Sequence, residues 1–310
     1  MGYLGEFISI GVALSWTVTA LLSEYGSRRM GNLTLNVMRM ALALLCSGIL
    51  FWAVTGSPLP AVASSEAYGW MLLSGVVGYV IGDYCLFQCY LIIGSRFGQL
   101  FMTLAPVVAA VMAWLTLGQR VGWQGAVAMA VTLLGIAISV LGRSETGKHR
   151  LTLKLPLYGI LFATGAAVCQ GVGLVLSKIG MNHYEATLAQ PCSSWLLPFY
   201  ANFFRCVAGV IGFSLLLRWR EGWAPLRKAV ADRVSITTAS LTTIFGPFIG
   251  VGCSLLALQY TGAGVASTLM ALSPIFIIAP SRWLFKQPVS IGSVIGAIIS
   301  VGGVSLFFLL

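Results

Sequence analysis

The chain is punctuated into ten apolar runs of about 18 to 25 residues, the length that carries an α-helix across a hydrocarbon core about 30 Å thick. Composition agrees with that reading. The 310 residues are 58% hydrophobic and only 8% charged, whereas soluble domains carry roughly 25% charged residues. With so little charge there is no polar skin to face water, so the solvent of this chain is lipid and its surroundings are the bilayer.

The runs fall at about 5–23, 34–55, 68–92, 97–118 and 122–142, and then at about 155–178, 196–218, 236–258, 263–285 and 289–310. Between the two groups lies a strongly charged linker, Gly142 to Arg150. The chain therefore divides into a first five-helix repeat (1–142), a basic linker (143–154) and a second five-helix repeat (155–310). The halves are related in sequence. Adding 168 carries Gly78, Gly82, Cys85 and Gly94 onto Gly246, Gly250, Cys253 and Gly262, and Met102, Leu104, Pro106, Gln119 and Gly135 onto Met270, Leu272, Pro274, Gln287 and Gly303. At smaller offsets Asn36 and Arg39 align with Asn202 and Arg205, and Ser23 and Gly26 with Ser177 and Gly180. The change of offset places an insertion, expected as a loop, around Met181 to Pro198.

Five spans are an odd number, so the second repeat enters the membrane from the opposite side. The expected fold is an all-α integral membrane protein with ten transmembrane helices as two inverted five-helix repeats, an arrangement that lets two halves exchange conformations around a site at their interface. Orientation is read from lysine and arginine. Arg28, Arg29, Arg39, Arg96, Arg143, Lys148, Arg150, Lys154, Arg218, Arg220, Arg227, Lys228, Arg233, Arg282 and Lys286 belong to the odd-numbered connections and adjoining helix ends, against Arg120, Lys178 and Arg205 on the other side. That bias puts both termini outside the cytoplasm. The basic, tryptophan-containing stretch from Arg218 to Arg233 is expected on the cytoplasmic lipid surface.

Charged and polar residues inside the spans are the candidates for function. Asp83 is the one carboxylate deep within a run, and such a group faces a cavity or a partner. It is a proton acceptor or a contact for a cationic group, or else it pairs with an arginine or meets water. Arg39 and Arg205 either contact a substrate or a neighbouring carbonyl, or extend to the interface. Gln88, Gln99, Gln170, Ser15 and Asn202 should face the bundle interior, where they line a substrate path or join helices, and Trp16 offers that path a ring. Pro106 and Pro274, equivalent in the two halves, kink their spans as a paired gate or as static bends. Gly78, Gly82, Gly246 and Gly250 have the spacing of close helix packing.

Enzyme chemistry has no foothold. The histidines, His149 and His183, sit in polar connections, and no metal-ligand spacing, nucleophile elbow or phosphate-binding loop occurs. No cofactor is expected. The formal charge of +10 is spread over short loops rather than gathered on a face, which argues against a nucleic-acid partner.

Two five-helix repeats, with Leu104-Ala105-Pro106 and Leu272-Ser273-Pro274 at the fourth and ninth spans, the Leu117-Gly118-Gln119-Arg120 connection, and an arginine near the start of spans two and seven, resemble the EamA-type branch of the drug/metabolite transporter superfamily. The resemblance implies an exporter or permease of amino acids, nucleosides, drugs or other small solutes, commonly without ATP; in a chain with no phosphate-binding loop, any coupling comes from an ion gradient, with a proton as the candidate partner, from exchange or from simple facilitation. The family's usual acid after the fourth span is Gln119 here and Gln287 in the second half, and its cytoplasmic termini oppose the charge bias. The chain is expected to act in a bacterial cytoplasmic membrane as a monomer or homodimer. A lipid flippase and a non-transporting accessory subunit are the alternative functions.

Overall fold

The apolar runs fold as helices because a chain in lipid finds no other partners for its backbone N–H and C=O groups. A computed structural model describes residues 3–141, 156–187, 195–277, 280 and 291–309, and every regular element among them is helical. The first half contains α1 (Leu4–Met30), α2 (Asn32–Thr55), α3 (Ser65–Ile93), α4 (Ser95–Phe101), α5 (Ala105–Leu117) and α6 (Trp123–Leu141). The second contains α7 (Leu157–Thr187), α8 (Leu197–Arg220), α9 (Ala224–Ala231), α10 (Arg233–Tyr260), α11 (Ala263–Met270), α12 (Ser273–Phe276) and α13 (Ile291–Leu309). Six of these, α1, α2, α3, α7, α8 and α10, are long and apolar enough to cross a membrane; shorter apolar helices cover Met102–Leu117, Trp123–Ile138 and Ala263–Phe276. The outward faces carry Leu45, Ile49, Trp52, Leu215 and Ile298, all exposed, as suits a surface against acyl chains.

The helices turn back sharply. Gly31 (φ +85°) separates α1 from α2, and Gly94 (φ +84°) separates α3 from α4, each in a single residue whose backbone other residues rarely adopt. At that end Arg29 Nε meets Asp232 Oδ2 at 2.9 Å, and Glu24 Oε2 accepts from the Ser95 N–H at 2.9 Å. Asp232 also accepts from the Ser235 N–H and hydroxyl at the start of α10; the Arg29 guanidinium and these two donors hold its carboxyl well below the usual carboxylate range. At the opposite end the Thr261 hydroxyl donates to Glu6 (2.9 Å), the Ala263 N–H to Gln119 Oε1 (3.4 Å), and Tyr184 to the Ala61 carbonyl. Among the described residues, the Arg28–Arg29 turn and the start of α10 at Asp232–Arg233 thus share one end, and the N-terminal turn of α1 lies at the other.

Two features were not foreseen. α3 and α10 each contain a π-helical stretch, Val76–Asp83 and Ile244–Phe248, and their first residues are 168 apart. Such widened turns place side chains off the ordinary helical face and recur at functional sites; here they hold Gly78, Gly82 and Asp83 in one half and Gly246 and Pro247 in the other. The second feature is the crossing of α6 and α13. A Cβ on Gly135 would lie 2.5 Å from the Ser300 backbone nitrogen, and one on Gly303 would lie 2.5 Å from that of Thr132, so the two helices pack backbone to backbone through positions again 168 apart.

The structure corrects the insertion. The expected loop from Met181 to Pro198 begins as helix, because α7 continues to Thr187. His183 therefore sits in the last turns of α7, beside Glu66 at 3.5 Å, rather than in a connection. The linker 143–154, His149, Arg282, Lys286 and Gln287 lie outside the described residues.

Candidate functional site

A cavity of about 100 Å³ lies among α1, α2, α3, α4, α5, α7, α8, α10 and α11, so residues of both halves form its wall. Asp83, Arg39, Arg205, Gln99, Gln170 and Trp16, candidates from the sequence, all line it. The side chains reach it from distant points of the chain. Asp83 closes the π-helical stretch of α3, Arg39 lies two turns into α2, and Arg205 lies at the equivalent place in α8.

Asp83 is 4% exposed and holds two partners: Arg39 Nη1 at 3.3 Å from Oδ2 and Gln170 Nε2 at 2.8 Å from Oδ1. The carboxylate is thus both cavity wall and half of a buried ion pair. Arg39 also donates to Asn36 Oδ1 (2.7 Å), and its guanidinium carbon sits 4.6 Å from the centre of the Phe87 ring. Arg205 is held differently. It donates to the Ser177 hydroxyl and to the Gly173 carbonyl (3.3 Å), and rests 4.8 Å from the centre of the Tyr79 ring. Both arginines are at most 3% exposed, so neither extends to the interface.

The glycines explain how two guanidiniums fit in the middle of a bundle. A Cβ on Gly78 would lie 2.7 Å from Arg205 Nη2, and a Cβ on its counterpart Gly246 would lie 3.3 Å from Arg39 Nη2. Each arginine is therefore seated on a glycine of the other half. Gly82 and Gly250 keep a packing role, against Cys169 and Trp16.

Three expected path residues lie off the cavity wall. Ser15 donates to the Phe245 carbonyl at 2.6 Å, which ties α1 to the π-helical stretch of α10. Asn202 accepts from the Tyr79 hydroxyl at 2.7 Å and donates to the Pro247 carbonyl, so it bridges both π-helical stretches. Gln88 is half-buried away from the cavity. Residues that sequence reasoning did not single out for the path include Tyr79, Ser23 and Ser267, which line the cavity, and Ser177, which holds Arg205. The alignment of Ser23 with Ser177 carried the signal: a paired hydroxyl at equivalent depth in both halves.

Both prolines stand at changes of helical segment. Pro106 stands in the first turn of α5, directly after the 3₁₀ turn Met102–Leu104, and the Met102 carbonyl is taken by the Ala105 N–H. Pro274 opens α12 after a break in which Thr17 and Ser273 of α1 and α12 exchange hydrogen bonds. Each proline follows a tightened or irregular turn inside a longer helical run, Met102–Leu117 and Ala263–Phe276, so each stands at a joint between segments, where its missing N–H costs little. Pro106→Ala is expected to change stability by less than about 1 kcal/mol while slowing transport if the jointed segment moves. Thermal unfolding and flux measured on the same preparation check it, and unchanged flux leaves the joint static.

Members of the EamA-like transporter family match this chain over residues 3–141 and 157–309. Among curated proteins, the uncharacterized inner membrane transporter YhbE of Escherichia coli (strain K12) is 27% identical over 151 residues, which is 48% of this chain and 42% of that protein. The YhbE proteins of Escherichia coli O157:H7 and Shigella flexneri align to the same extent. The matched stretch spans under half the length of these relatives. A solved crystal structure superposes with a TM-score of 0.73 over 98% of this chain and 96% of its own, at 16% identity, a likeness of fold.

Proposed function

The chain belongs to the EamA-like transporter family, and from that premise we propose that it is a secondary transporter, an exporter or permease of a small organic metabolite that works by alternating access without ATP. Members of this family are transporters rather than enzymes, and the chain is an integral, multi-pass membrane protein. The proposed architecture is ten spans in two inverted five-helix repeats, with the substrate held in the central cavity.

One observation carries this reading: Arg39 rests on Gly246 and Arg205 on Gly78, so the charged groups of the cavity cross between the halves. Relative motion of the halves would move each arginine against the opposite repeat and reshape the cavity, as alternating access requires. Reconstitution in liposomes tests it. Protein-dependent, saturable flux of solutes from a labelled metabolite panel, without ATP, is the expected result. Transfer of a fluorescent phospholipid between leaflets, with no solute flux, would favour the flippase instead.

The proposed location is a bacterial cytoplasmic membrane with both termini outside the cytoplasm, as the clustering of basic connections supports. In intact cells, Ser57→Cys, in the connection after α2, is expected to react with an impermeant maleimide from outside. Glu221→Cys, between α8 and α9, is expected to react only after the membrane is opened. The reverse pattern would establish the family's usual orientation.

A further inference from the structure

Resting on the transporter reading above, we propose that the cavity binds a small organic monocarboxylate, its anionic group on Arg205 at the edge shared with Arg39 and its apolar body against the aromatic wall. Three charged side chains line the cavity, and two guanidiniums face one carboxylate. Asp83 is committed to Arg39 and Gln170. Arg205 has no carboxylate within ion-pairing distance among the described residues; its acceptors are a hydroxyl and a carbonyl, both neutral. One positive charge is therefore buried in the bundle without a counter-ion, a costly arrangement that marks substrate and ion pathways in membrane proteins.

The unused hydrogen-bonding capacity has the same sign. A guanidinium presents five N–H donors in a planar fork that matches a carboxylate. Among the described residues both arginines donate only through Nη1, and the Nε of each is buried without a partner. Ser23 Oγ, on the same wall, is also buried without a partner. The guanidinium groups can only donate and the hydroxyl can donate, so together they call for an acceptor-rich, negatively charged group. Asp83, fixed at the same cavity, repels a second negative charge, which limits the ligand to a monoanion. The rest of the wall is largely apolar, with Trp16, Leu86 and Tyr90 available to a hydrocarbon or ring-bearing body.

The test is a matched series titrated against the purified full-length protein in detergent: 3-phenylpropionate, 3-phenylpropanamide and 3-phenylpropylammonium, which share one body and differ in charge. Saturable thermal stabilisation by the carboxylate alone is expected. Arg205→Gln should weaken it about thirtyfold or more, the scale of losing one partner of a buried charge pair. Because Arg205→Gln removes a buried group, its unfolding temperature without ligand is measured first. Arg205→Lys, which keeps the charge and loses the fork, provides the second variant and should remain anion-selective with reduced affinity. Equal stabilisation by the amide or the ammonium ion, the same shift from chloride alone, or affinity unchanged in both variants would overturn the proposal. Solute flux in liposomes without carboxylate binding overturns the anion site and leaves the transporter reading standing. Carboxylate binding with no flux of any solute does the opposite.

Discussion

Asp83→Asn is expected to destabilise the folded protein by about 3 to 5 kcal/mol, the scale for breaking one half of a buried ion pair. The asparagine keeps the shape and can still accept from Gln170, but it cannot balance Arg39, which would join Arg205 as a second buried cation without a counter-ion. The loss should appear as earlier thermal unfolding in detergent. A companion variant isolates the cause. Replacing both partners together, Asp83→Asn with Arg39→Met, removes the stranded charge, and such double replacements are often close to neutral, so much of the lost stability should return. If the double variant is no more stable than Asp83→Asn alone, the pair is not the source of the effect. Asp83→Asn protein that is stable and transports with unaltered pH dependence would remove the carboxylate from both structural and coupling roles.

The ion pair also shows how far the sequence could be read. Asp83, Arg39 and Arg205 were legible because a charge inside an apolar run is rare, and rarity alone marks it. Their burial and the mutual seating of arginine on glycine were not legible, since Gly78 and Gly246 carry the same spacing that ordinary helix packing uses. The repeat offset foretold more than it was asked to. It aligns the starts of the two π-helical stretches and the Gly135–Gly303 crossing, yet nothing in the residue pattern distinguishes a π-helical turn from an α-helical one. The extension of α7 to Thr187 was missed because Asn182, His183 and Glu185 look like loop residues by polarity, whereas the helix there continues past the apolar stretch with Tyr184 anchored to the Ala61 carbonyl. Asn202 was assigned to the path for its polarity, and polarity cannot say which partner a buried amide will find.

That amide gives the second large effect. Asn202 is fully buried and joins the two π-helical stretches through one side chain, with Tyr79 donating to its Oδ1 and its Nδ2 donating to the Pro247 carbonyl. The Tyr79 contact spans the two halves of the molecule, and the complete burial of Asn202 leaves neither bond an alternative partner in bulk solvent. Asn202→Leu conserves volume approximately and strands a hydroxyl and a carbonyl, each costing about 1 to 3 kcal/mol when left unpaired. The expected loss is therefore of the same order as that of Asp83→Asn, although Asn202 carries no charge. Tyr79→Phe separates the two bonds, because it removes the hydroxyl that Asn202→Leu strands. In a double-mutant cycle the combined variant should be more stable than the sum of the single losses predicts, by about 0.5 to 3 kcal/mol. Additive losses would mean that Asn202 acts through Pro247 alone. The same cycle read by flux bears on motion: if the amide holds the two widened turns in register while the halves move, Asn202→Leu should slow transport beyond what its stability loss explains, and Asn202→Gln, which keeps both bonding groups on a longer arm, should restore part of the rate.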